Sequence, residues 1–275
     1  MLSTREIRRK IRSVRNIQQI CRATKTIAGI KLVRAERRLA ACRRYSAMLD
    51  DALRDACRGA QHPLLSRPET QARAVILITA DRGLCGSYNL NAMRRAASEW
   101  QAAPDRLITV GKKGTDFFRR RAALAASLSP LGAEPSPAQV RALARQALRM
   151  FLAGDVGQVL AIWTRFLGGM RGRLEGSSLL PIEPAGEPAT TEALFEPRQD
   201  QLLDLLLPRY FEHSLWRVVL ESSASEHASR VAAMTLATDN AEEVINNLTL
   251  EFNKARQAAI TKELLDIVGT AEALR

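Results

Sequence analysis

Hydrophobic positions along the first part of the chain return at helical intervals. Ile7, Ile11, Val14, Cys21, Ile27, Leu32 and Leu39 recur on one face, while Arg5, Arg8, Arg12, Arg15 and Arg22 form a separate stripe. Ser3 or Thr4 can cap the start, with Glu6 close behind, and no proline appears before Pro63. The pattern predicts one amphipathic helix from about residue 4 to residue 58, ending at Gly59. Gly29 is its only interior glycine, a weak spot of ~1 kcal/mol relative to alanine.

The middle of the chain changes period. RAVILITA (73–80) is a short apolar run rich in β-branched residues, as in a buried strand. Residues 89–100 read as a helix, 107–111 and 159–166 as further strands, and 138–154 as another helix. Alternation of this kind implies a parallel-leaning sheet. SLSPLGAEPSP (127–137) reads as a loop, and PIEPAGEPATTEALFEP (181–197) as a linker returning the chain to helix.

The last third contains neither glycine nor proline from Arg209 to Val268. Sixty helical residues would extend about 90 Å. Val231, Met234, Thr238, Ala241, Ile245, Leu248, Phe252, Ala255 and Ala259 repeat at alternating intervals of three and four, a strict heptad seam that asks for a partner helix. The only other long helix is the first. The pattern therefore predicts an α+β / α/β fold: a long antiparallel coiled coil of the two termini carrying an inserted, Rossmann-like α/β domain, with divisions at 1–60, 70–200 and 201–275.

Charge sharpens this picture. Residues 1–58 hold 16 Lys or Arg against 5 Asp or Glu, nearly the whole of the net charge of +12. Such a localised excess leaves four readings open: a solvated face, nucleic acid, anionic lipid, or an acidic protein surface. Residues 1–44 contain no aromatic side chain for base stacking, which weighs against nucleic acid. Cys21, Cys42, Cys57 and Cys85 lack metal or redox spacing and read as reduced thiols of a cytoplasmic protein. The charged opening MLSTREIRRK is not a signal peptide, and no window resembles a membrane span.

Candidate chemistry is sparse. Strand 73–80 runs into a turn containing Asp81, Arg82, Gly83, Cys85 and Gly86, but its glycines are spaced as neither a dinucleotide fingerprint nor a phosphate loop. It reads as a structural turn. GKKGTD (111–116) lacks the glycine spacing that a phosphate cradle requires. His62, His213 and His227 are scattered, and His227 reads as a core or rim residue. No catalytic, cofactor-binding or metal-binding set is expected.

Three segments converge on a known family. EIRRKIRSVRNIQQI (6–20), TADRGLCGSYNLN (79–91) and above all ASEHASRVAAMTLATDNAEEVINNLTLEFNKARQAAITKEL (224–264) resemble the gamma subunit of the F-type ATP synthase, the central stalk, in order and spacing across the whole chain. The chain departs from the family pattern at Thr24, Thr26 and Ile30, and at Gly269, Thr270 and Ala271, a set compatible with a divergent or alternative sodium-type paralogue. The resemblance implies a non-catalytic rotary shaft coupling ion flow to ATP synthesis or hydrolysis. It implies that Arg256, Gln257 and Thr261 contact loops of the beta subunits, and that Lys25, Lys31 and Arg34 face the acidic loop of those subunits. Alpha and beta subunits, the epsilon subunit and the membrane ring of c subunits are the implied partners, and the cytoplasmic face of the bacterial inner membrane the implied location. The competing reading is a coiled-coil adaptor for nucleic acid or an acidic protein.

Overall fold

The computed structural model describes residues 3–100, 104–132, 134–183 and 198–273. Its elements, in chain order, are α1 (Thr4–Ala56), β1 (Arg73–Ile78), α2 (Tyr88–Glu99), β2 (Arg106–Val110), α3 (Lys112–Phe118), β3 (Leu124–Leu128), α4 (Pro137–Leu152), β4 (Gln158–Gly168), β5 (Arg171–Leu180) and α5 (Gln199–Ala273). They divide into two compact units, one from residues up to Ile27 and from Val231 onward, the other from Ala28 to Arg230.

α1 begins where the sequence provides a capping box. The Glu6 carboxylate accepts from the Ser3 backbone N–H at 2.9 Å and from its hydroxyl at 3.0 Å, and the Glu6 N–H donates to Ser3 Oγ at 3.3 Å. Gly59, at φ +65°, lies just past the end of the helix.

In the first unit, α1 and α5 run antiparallel along a heptad seam. Met234, Thr238 and Ala241 are buried, and Val231, Ile245, Leu248, Phe252 and Ala255 half-buried. Ala259, expected on the same seam, is exposed, so the seam ends at Ala255. The α1 side needs a second correction. Ile27, expected in the seam, is 57% exposed, and its neighbour Ala28 is the buried residue. The inward frame of α1 runs through buried Ile7, Gln18, Cys21 and Ala28 and half-buried Ile11 and Val14, with small and polar residues at positions where bulk was sought. Lys25 also falls on this frame, but it is exposed.

The second unit is built on a five-stranded sheet in the order β3-β2-β1-β4-β5. β3, β2, β1 and β4 are parallel, and β5 returns antiparallel to β4. β1 is buried on both sides, and its alternate residues serve two cores. Val75 and Leu77 pack with Ala92, Ala96 and Phe118 beneath α2 and α3. Ala74, Ile76 and Ile78 join the larger core with Leu143, Phe151, Leu207 and Phe211 from α4 and α5. Period two thus welds two helical layers to one strand.

Two strands escaped the sequence pattern. β3 overlaps the expected loop at Ser127 and Leu128. β5 is an edge strand whose Arg171, Arg173 and Glu175 give no apolar run, a composition suited to an unpaired edge. α5 also starts earlier than the proline-free stretch, at Gln199, and continues through Pro208. An interior proline costs ~3 kcal/mol or more. Here the turns before it bury Leu203 and Leu207 in the larger core, which offsets that cost. The linker expected at 181–197 lies mostly outside the described residues.

Candidate partner-binding surfaces

Arg256, Gln257 and Thr261 are all exposed on the last turns of α5, beyond the end of the seam. Gln257 and Thr261 are one turn apart and share a helix face. The Thr261 hydroxyl donates to the Gln257 carbonyl at 3.0 Å. Its proton is therefore committed to its own helix, and toward a partner Thr261 offers an acceptor. Arg256 and Gln257 keep their donors toward solvent.

Lys25 is exposed on α1 in the same unit. Unlike a coil that meets only water, this unit also exposes Ile17, Ile20, Ile27, Leu236, Val244 and Leu250 outside its seam. Where such apolar side chains are contiguous, they mark surface that another molecule covers.

Lys31 and Arg34 belong to the second unit. Arg34 lies 3.7 Å from the Glu134 carboxylate, and Lys31 is half-buried at the edge of the same cleft. Sequence reading did not single out Glu134, because it sits in a proline-bearing connection with no local periodicity.

The turn after β1 presents its carbonyls to a cation. The Arg230 guanidinium donates to the Gly83 carbonyl at 3.2 Å through Nη2 and 3.4 Å through Nε, and to the Arg82 carbonyl at 3.5 Å. Glu226 pairs with Arg230 at 2.8 Å. A phosphate cradle would need amides pointing outward, so this polarity is the reverse. Within the turn, Asn89 Oδ1 accepts from the Ala80 N–H at 2.9 Å, and the Asp81 carboxylate accepts from the N–H groups of Lys112, Leu131 and Gly132 at 2.9, 3.1 and 2.8 Å. Cys85 is buried, and that burial raises its thiol pKa. Gly86, at φ +58°, takes a backbone conformation that favours glycine.

The glycines of GKKGTD have an equally structural cause. A Cβ on Gly111, at φ +90°, would lie 2.0 Å from the Thr79 carbonyl oxygen, and one on Gly114 would lie 2.8 Å from Thr79 Oγ1. They let α3 close onto the end of β1.

His227 is buried and His213 half-buried on α5, while half-buried His62, in the loop after α1, lies 3.2 Å from Asp204. His227 is 7% exposed, and burial first, then Arg230 and Lys31, lowers its pKa to about 4. His213 Nε2 lies 2.8 Å from the Ser46 hydroxyl, a Ser–His pair invisible at a separation of 167 residues. Ser46 is 5% exposed, on α1 against α5. Another long-range set locks the sheet to both helices. Glu221 accepts from Trp163 Nε1 at 3.0 Å and from Arg43 at 3.2 Å, and Arg43 also donates to the Phe166 carbonyl at 2.9 Å. Among the described residues no cluster of His, Cys, Asp and Glu could hold a metal ion, and no helix is long and apolar enough to cross a membrane.

The family model for ATP synthase matches residues 3–274. The ATP synthase gamma chain of Desulfitobacterium hafniense is 41% identical over 280 residues, covering 100% of both chains. That of Moorella thermoacetica is 42% identical over 282 residues, again covering 100% of both, and that of Chlorobaculum tepidum 39% over 291 residues with the same coverage. Among solved structures, a chain of the Euglena gracilis mitochondrial ATP synthase (OSCP/F1/c-ring) aligns with a TM-score of 0.66 at 20% identity, over 98% of this chain and 94% of that one. A chain of the Tetrahymena thermophila mitochondrial ATP synthase central stalk and c-ring aligns with a TM-score of 0.60 at 23% identity, over 79% and 99%. These two show the fold, an antiparallel helix pair with an inserted five-stranded sheet. Matched along nearly its whole length, and about two-fifths identical to these gamma chains, the protein belongs to the ATP synthase gamma chain family.

Proposed function

We propose that this chain is the central rotary shaft of an F-type ATP synthase, a non-catalytic subunit that couples ion flow through the membrane sector to ATP synthesis or hydrolysis in a ring of alpha and beta subunits. The observation that carries this reading is the coiled coil itself. Its seam is strict to Ala255, while its outer surface sets exposed Ile17, Ile20 and Leu236 among arginines. A rod that must stay stiff yet be covered by protein has this surface. Family membership supports the same role.

Arg256 and Gln257 are the donors, and Thr261 the acceptor, for loops of the beta subunits, while Lys25, Lys31 and Arg34 meet an acidic loop of the same subunits. Side chains such as these form hydrogen bonds of ~0.5–1.5 kcal/mol that can be broken and remade. Deeply buried Leu or Phe would instead lodge in one orientation at ~1.5–3 kcal/mol each. An asymmetric shaft gives each catalytic site different contacts, and rotation exchanges them, which is coupling by differential affinity. The sheet-bearing unit would seat the epsilon subunit and the c ring, placing the chain peripherally at the cytoplasmic face of the bacterial inner membrane. The turn at Asp81, Arg82, Gly83, Cys85 and Gly86 serves structure.

Reconstitution tests this. With the alpha and beta subunits immobilised and a bead on the sheet-bearing unit, ATP should drive rotation in one direction. A bead that only fluctuates, in a complex that still hydrolyses ATP, would overturn the assignment. The adaptor reading gains only if the chain binds duplex DNA in preference to the catalytic ring at equal salt.

A further inference from the structure

The cationic cleft on α1 in the second unit already contains a carboxylate. Arg34 and Arg38, one helical turn apart, both reach Glu134, at 3.7 Å to one oxygen and 2.5 Å to the other. Lys31 lines the same cleft, beside Pro135 and the buried His227. Glu134 is not on a free tail. Leu131 and Gly132, just upstream, are fastened by their N–H groups to Asp81, and Pro135 and Pro137 restrict the chain after it. Glu134 thus sets one carboxylate against a waiting pair of guanidiniums. The charged heads remain open to solvent, with side-chain exposures of 68% for Arg34, 46% for Arg38 and 47% for Glu134.

We propose that Glu134 is an internal occupant of a site for an acidic segment of a partner protein, and that the segment binds to Lys31, Arg34 and Arg38 by displacing it. This rests on the reading above that Lys31 and Arg34 meet an acidic loop, and adds a gate to it. The occupant already seated identifies the chemistry as carboxylate. The absence of aromatic residues in 1–44 removes the stacking platform that single-stranded nucleic acid uses. Exposed ion pairs are individually weak and screened by salt, so the contact yields to competition and does not block the site. Glu134 therefore sets a threshold: only a segment offering more than one carboxylate displaces it.

The test uses the full-length chain and a fluorescent hexaglutamate peptide, titrated at low salt and at ~0.15 M salt, where the screening length is ~8 Å. Glu134→Gln should bind the peptide about three- to tenfold more tightly than the wild type, the range expected of one or two exposed pairs. Adding Arg34→Gln and Arg38→Gln should abolish that gain. Thermal melting of each variant shows whether it is folded. Equal binding by wild type and Glu134→Gln would overturn the gate while leaving the cationic site in place. An absence of peptide binding by every folded variant would overturn the site as well. Tighter binding of duplex DNA than of the peptide by Glu134→Gln would overturn the choice of partner.

Discussion

The Gln18 side-chain amide donates to the Thr238 carbonyl at 3.4 Å across the helix pair of the first unit, and both residues are buried. The Thr238 hydroxyl turns back to the Met234 carbonyl at 2.7 Å, so the pair is a small polar patch inside an otherwise apolar seam. A polar residue at a core heptad position fixes register at a cost in stability. Gln18→Leu, similar in volume, should raise the melting temperature of the isolated chain slightly, and Gln18→Ala should lower it by an amount equivalent to ~1 kcal/mol. Register is read with a disulfide replacing Arg22 and Glu242, which pair at 3.8 Å. Its formation should drop in the Gln18→Leu background. Unchanged cross-linking would show that apolar packing alone sets the register.

Seam and surface of α5 should separate in their effects. Met234, 6% exposed, faces α1, and Met234→Ala should cost ~2–5 kcal/mol of stability. Arg256→Ala and Gln257→Ala remove exposed side chains and should change stability by no more than about 0.5 kcal/mol. They should nevertheless slow steady-state ATP turnover of the assembled complex. The comparison is circular-dichroism melting against turnover. If Arg256→Ala destabilises the chain as much as Met234→Ala, the contact assignment fails.

Glu221 holds β4 and α1 to α5 through Trp163 and Arg43. Glu221→Ala would leave the indole N–H buried without an acceptor, while Arg43, 45% exposed, can return to water. We expect a loss of about 1–3 kcal/mol, dominated by the indole. Glu221→Gln keeps a carbonyl for Trp163 and should recover part of it, as denaturant titration would show.

His227 gives a pH dependence with a definite sign. Its pKa falls from an ordinary 6.5 to about 4 in the folded chain. The unfolded chain therefore takes up the proton first as pH drops. Above pH 6.5 the residue contributes nothing to the pH dependence, and stability should decline from there toward pH 4, by about 2 kcal/mol at pH 5. His213, its pKa also lowered chiefly by burial, acts in the same sense. Glu226, raised by burial against the pull of Arg230, acts in the opposite one. The informative quantity is the difference between wild type and His227→Gln, measured by denaturant titration from pH 8 to pH 5. Curves that stay parallel would show that His227 takes up its proton equally well in the folded chain.

Much of this molecule is local, and the sequence carries it openly. The cap at Ser3 and Glu6, the stop at Gly59, the apolar run of β1 and the three-four spacing of α5 each depend on residues within a few positions of one another. The family could be read for the same reason, since its signature segments are continuous. Exposure of Arg256 and Gln257 also followed from the seam, because what lies off a strict heptad frame lies outside the coil. Where the frame was filled by Gln18, Ala28 and Ala35, hydrophobicity pointed to Ile27 instead. Close helix packing there uses small side chains that hydropathy ranks low.

What remained hidden depends on distance along the chain. Glu134 meets Arg34 and Arg38 about a hundred positions away, and Arg230 meets the Gly83 carbonyl at a separation of 147. β5 became a strand because β4 offered it a ladder, not because its own residues form an apolar run. The sequence by itself determined the four longer helices, the inner strands and the heptad seam of α5, all set by short-range periodicity; the short α3 it did not show. Only the tertiary structure decided which charges are committed within the chain and which face outward, because an ion pair is fixed by proximity in space, and no local pattern encodes its partner.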